Sequence, residues 1–85
     1  MPTSSVDPIR PALITTAYIE LDKLLKREDL AASGGEARYL IGQELVQVNG
    51  EVEMRKRRKL YPGDLVRCHG IELRVVQEGG EAVGG

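Results

Sequence analysis

The chain has 85 residues, a formal net charge of −1, a single cysteine and neither Trp nor Phe. That length holds one domain with a modest core, a lone cysteine cannot form an internal disulfide, and no apolar run approaches a membrane span. The expected setting is reducing and cytoplasmic, without secretion or membrane insertion.

Residues 1–16 carry Pro2, Pro8 and Pro11 among small polar residues and read as an irregular, flexible arm. Tyr18-Ile19-Glu20 reads as a short entry strand. Leu21, Leu24 and Leu25 fall at i, i+3 and i+4, so they share one face of a helix. Lys23, Lys26 and Arg27 gather on the opposite face. Glu28 to Ala32 connects to a second helix, where Ser33 and Glu36 have capping-box spacing. In that helix Ala37, Leu40 and Ile41 point inward, and Arg38, Tyr39 and Gly42 point away.

Val46-Gln47-Val48 then alternates, Asn49-Gly50 is a two-residue hairpin signal, and Val52 resumes the alternation. Tyr61-Pro62-Gly63-Asp64 has the proline and glycine placement of a tight turn. Leu65-Val66 opens another strand, and Ile71, Leu73 and Val75 alternate with Glu72 and Arg74 in the last one. Residues 78–85 hold four glycines and two glutamates and read as a flexible tail. The expected fold class is α+β: two short helices packed on a small, mostly antiparallel sheet over residues 17–77, with flexible termini.

Arg55, Lys56, Arg57, Arg58 and Lys59 form an unbroken basic run. Acids such as Glu51, Glu53, Glu78 and Glu81 cancel it in the total without occupying the same stretch. At contact range, screened over about 10 Å, a partner feels the local run. Such density favours a polyanion, because like charges packed together repel. With only three tyrosines as aromatics, recognition through shape and phosphates is expected over base stacking on many rings. Tyr39 beside Arg38 is either a stacking residue or a cover for the helix rim. Cys68-His69, with no other Cys or His in the chain, cannot complete a zinc site of those ligand types. As strand neighbours they would point to opposite faces, so neither metal binding nor catalysis is expected there.

The order of elements, with Leu21-Asp22-Lys23-Leu24-Leu25, Ala37-Arg38 with Leu40-Ile41, Val46-Gln47-Val48-Asn49-Gly50 and Pro62-Gly63-Asp64, resembles the S4-like RNA-binding domain. Ser33-Gly34-Gly35-Glu36-Ala37-Arg38 and the segment from Arg55 to Asp64 resemble its small stand-alone bacterial members of the YbcJ and YaaA type. The resemblance implies the αL RNA-binding fold, with Lys23, Arg38 and the Arg55–Lys59 segment at phosphate-contacting positions. Two positions depart from the pattern. Glu20 stands where a basic residue is common, and Glu44 where a glycine commonly closes the second helix, which leaves Gly42 as an earlier place for the break.

The expected function is binding of structured RNA, ribosomal or transfer RNA in a ribosome-associated setting, by a monomer that is not an enzyme. Its contacts are expected from Lys23, Lys26, Arg27, Arg38, Tyr39 and the five residues Arg55, Lys56, Arg57, Arg58 and Lys59. No cofactor, metal, membrane or small-molecule substrate is expected. The alternative is a protein-interaction adaptor whose basic segment docks on an acidic surface.

Overall fold

A computed structural model describes residues 9–78. The elements run β1 (Arg10–Ile14), β2 (Ile19–Glu20), α1 (Leu21–Arg27), α2 (Gly34–Gly42), β3 (Val46–Val48), β4 (Glu51–Val52), β5 (Lys59–Leu60), β6 (Leu65–Cys68) and β7 (Ile71–Gln77). Five strands form one sheet in the order β1-β7-β6-β3-β4, and β2 and β5 make a separate two-stranded ribbon. Every pairing is antiparallel except β1 with β7. The α+β expectation of a helical pair with a mostly antiparallel sheet describes this molecule. Among the described residues no helix is long and apolar enough to cross a membrane.

The arm expected over residues 1–16 is not irregular throughout. Its later part, Arg10–Ile14, is strand β1, with Ala12 and Ile14 buried and paired to Val75 and Gln77. Pro11 concealed it. Proline lacks a ladder donor, but β1 lies at the sheet edge, where one side of the backbone needs no partner. The first eight residues and the tail from 79 onward, where flexibility is expected, lie outside the described residues.

One apolar cluster holds the layers together. Leu21, Leu24 and Leu25 of α1 meet Ala37, Leu40 and Ile41 of α2, as the i, i+3, i+4 spacing predicts. Alternate residues of the sheet, among them Val46, Val48, Val66, Leu73 and Val75, complete the cluster. Each fully buried leucine stabilises the fold by roughly 1.5–3 kcal/mol, so a few well-placed aliphatics suffice for a small domain.

Both helices end in the same way. After α1, Leu30 N–H donates to Leu25 O and Asp29 N–H to Lys26 O; after α2, Leu45 N–H donates to Leu40 O and Glu44 N–H to Ile41 O. These are paired Schellman bonds, and they put Asp29 (φ 65°) and Glu44 (φ 63°) in the left-handed region. Glu44 therefore takes the position where glycine is common, and α2 runs through Gly42 instead of breaking earlier.

At the start of α2 the Ser33 hydroxyl accepts from Glu36 N–H at 3.1 Å. The return bond of the expected capping box differs: the Glu36 carboxylate accepts from Ala32 N–H, one residue before Ser33.

The hairpins have the turns their residues demand. Asn49 (φ 53°) and Gly50 (φ 87°) join Val48 to Glu51, and Gly63 (φ 101°) takes the third position of the Tyr61–Asp64 turn. His69 and Gly70, also at positive φ, join Cys68 to Ile71. His69 is therefore a turn residue and not a strand neighbour of Cys68.

Candidate nucleic-acid interface

The basic segment between β4 and β5 is anchored by its own backbone. Helix α1 begins at Leu21 without a side-chain cap from Glu20. Its first two N–H groups donate instead to the segment: Leu21 to Arg58 O at 2.9 Å and Asp22 to Lys56 O at 3.1 Å. The third, on Lys23, donates to the Asp22 carboxylate at 2.8 Å. A helix start needs such acceptors, and here they fix the basic segment beside α1.

Glu53 supplies the second anchor. It is only 6% exposed, and its N–H continues the ladder to Val46 O. The carboxylate accepts from Arg55 Nε at 3.0 Å, Arg55 Nη2 at 3.1 Å, Arg55 N–H at 2.8 Å and Arg58 Nη1 at 2.7 Å. Hydrogen bonds from Arg55 lead in lowering its pKa from 4.5 to about 2; those from Arg58 add to them, and burial opposes them. Sequence reasoning missed this role by counting Glu53 among acids that only dilute the total charge. The available signal was position: one acid following the strand pattern into the interior, two residues before an arginine.

Helix α2 presents Arg38 toward α1. Its Nη1 lies 3.4 Å from Asp22 Oδ2, so Asp22 serves both the helix start and the contact between helices. Lys23 pairs with Glu20 at 3.3 Å. A cleft of about 370 Å³ is lined by Lys23 and Lys26 from α1, Arg38 from α2 and Arg57 from the basic segment, with Glu20 and Asp22 at its wall. Arg57 also lines a second cleft, with Arg55, Arg58 and Lys59. Lys56 reaches the C-terminal end of α2, its Cε 3.9 Å from where a Cβ on Gly42 would stand. Lys23, Lys26 and Arg38 of the helices and the other cations of the run thus line adjoining clefts, with Arg57 in both.

Besides Lys56, two expected contact residues, Arg27 and Tyr39, line neither cleft. Arg27 pairs with Glu28 at 3.2 Å, and Tyr39 is 63% exposed on α2. Arg55 and Arg58 belong to the cationic surface but share Glu53, so part of their charge is already compensated.

Tyr18 and Tyr61, 43 positions apart, meet with ring centroids 5.9 Å apart, and Lys59 Nζ stands 4.9 Å over the Tyr18 ring. No local pattern in the sequence announced this pair, because it depends on the pairing of β2 with β5. Cys68 is buried, and burial pushes its thiol pKa up. A thiol so disposed is a poor nucleophile.

This architecture, a helical pair and a basic segment on a small sheet, is that of the S4 domain. The S4-domain family model matches residues 12–76, and the chain belongs to that family. The match begins inside β1, ahead of the boundary expected at residue 17.

Among relatives, the chain is 42% identical over 61 residues to the "Probable ribosome maturation protein RlbA" of Bacillus subtilis (strain 168), covering 72% of this chain and 86% of that one. It is 41% identical over 59 residues to YbcJ of Escherichia coli (strain K12), covering 69% of this chain and 84% of YbcJ. The solution structure of E. coli YbcJ, described as revealing an αL motif involved in RNA binding, superposes with a TM-score of 0.63 at 34% identity. That superposition covers 82% of this chain and 90% of YbcJ. The chain shares the αL fold of that protein.

Proposed function

We propose that this chain is a binding module for structured RNA that holds phosphates on its cationic surface and carries out no chemistry of its own. The observation that carries the proposal is the cleft where Lys23, Lys26 and Arg38 of the two helices converge with Arg57 of the basic segment. Four cations from three segments, fixed by a shared core and by backbone bonds, match a polyanion of fixed shape better than a flexible acidic peptide. Lys59, in the adjoining cleft with Arg57, and Lys56, at the end of α2, extend the contact. Phosphate contacts position a protein and carry little sequence information, so selectivity comes from RNA shape.

The finer reading is a ribosomal or transfer RNA bound in a ribosome-associated setting. It is supported by the name of the B. subtilis relative and by the RNA-binding motif described for E. coli YbcJ.

The test compares two double variants, Lys23→Gln/Lys26→Gln on α1 and Lys56→Gln/Arg57→Gln on the basic segment. Affinity for a transfer RNA and for a junction-containing ribosomal RNA fragment is measured by filter binding. Each pair should weaken binding, and the salt-dependence slope should become shallower by roughly 1.5, two phosphates each contributing about 0.7–0.9. Unchanged affinity in both variants, with unchanged circular dichroism, contradicts the proposal.

A further inference from the structure

We propose that the outward face of the β2–β5 ribbon stacks an unpaired nucleobase of the bound RNA; this rests on the RNA-binding reading above and adds a second kind of contact to it. In this ribbon Ile19 pairs with Leu60 and Glu20 with Lys59. Leu60 is fully buried and Ile19 packs against the core. Side chains alternate across a strand, so Tyr18, Glu20, Lys59 and Tyr61 share the opposite, outward face. Extending the register by one step sets Tyr18 across from Tyr61, which accounts for the 5.9 Å between their rings.

Neither ring is used up by the core. Tyr18 is 37% exposed and Tyr61 50% exposed. Lys59 holds its ammonium over Tyr18, placing a positive charge beside the aromatic surface. A cleft of about 390 Å³ lined by Tyr18, Ile19 and Thr16 shares Glu20 and Lys23 with the cationic cleft. On the other side, Lys59 belongs to the cleft that contains Arg57. The tyrosine pair is therefore continuous with the phosphate-binding surface on two sides.

Aromatic rings beside a row of cations suit a nucleotide whose phosphate is held while its base lies on the ring. The bases of an uninterrupted helix are stacked on one another and offer no free face. The ligand class that satisfies both parts of the surface is helical RNA with an unpaired nucleotide at a bulge, junction or end.

The experiment measures fluorescence anisotropy with two labelled RNA duplexes of equal length, one fully paired and one carrying a three-nucleotide bulge. The wild-type protein should prefer the bulged duplex by about tenfold. Tyr18→Leu/Tyr61→Leu should abolish the preference while leaving affinity for the paired duplex unchanged. Tyr18→Phe/Tyr61→Phe, which keeps the rings, should retain it. A wild type that binds both duplexes equally overturns the stacking proposal and leaves phosphate binding standing. So does a leucine variant that weakens both duplexes alike. A wild type that binds neither duplex overturns the RNA reading itself and the stacking proposal with it.

Discussion

Glu53 orders two arginines of a segment whose charges would otherwise push one another apart. Its depressed pKa, about 2 against an ordinary 4.5, ties this role to pH. A carboxylate with a lowered folded-state pKa stabilises the fold fully above the unfolded value and loses that contribution as pH falls through the folded one. The contribution is thus present above about pH 4.5 and fades toward pH 2. Glu53→Gln should cost about 2 kcal/mol at pH 7, since hydrogen bonds to a buried charge are weakened and two guanidinium groups lose their counterion. Urea unfolding at pH 7, 4 and 2.5 checks both points: the gap between wild type and variant should narrow with acid. A second residue works in the opposite direction. Glu44 has a φ of 63°, a conformation costing an ordinary L-residue about 1–2 kcal/mol. Glu44→Gly should therefore raise stability by about 1 kcal/mol, a part of the relief being lost to glycine's freer unfolded state. The same urea titration reads this as a higher midpoint with an unchanged slope.

At the scale of elements, the two helices depend on a small shared contact. Leu25 is fully buried in α1, and its carbonyl also accepts the closing bond from Leu30. Leu25→Ala should destabilise the domain by about 2–5 kcal/mol, measurable by thermal or urea unfolding. Periodicity made this part of the fold legible: the spacings Leu21/Leu24/Leu25 and Ala37/Leu40/Ile41 identify the buried faces, and Asn49-Gly50 identifies its hairpin. What stayed hidden has physical causes. Strand β1 pairs in parallel with the last strand, a long-range partnership that leaves no local signature beyond Ala12 and Ile14, and Pro11 argued against it. Both helix ends use acidic residues where glycine is the expected signal, and His69 occupies a turn position usually given to Asn or Asp. For the site, the basic run and the helix cations were visible as charge. The carbonyls of Lys56 and Arg58 at the start of α1 and the Tyr18–Tyr61 pair were not, because each joins segments that only the fold brings together; the Glu53 anchor is local and was hidden only because its burial is not visible as charge.

For the whole molecule, a net charge of −1 conceals a local concentration of cations. Lys23, Lys26 and Arg38 line a cleft with Arg57, and Arg57 continues into the cleft of the basic segment. With Lys56 and Lys59 this makes six cations outside the Glu53 cluster. The most direct measurement is the affinity for a structured RNA between 50 and 200 mM salt, for wild type and for Arg57→Gln. One continuous phosphate-binding surface predicts a linear plot of log affinity against log salt, with a slope of about −4 to −5 for the wild type. Arg57→Gln should make it shallower by about 0.7–0.9. A slope near zero, or an Arg57→Gln variant indistinguishable from wild type, would contradict the account.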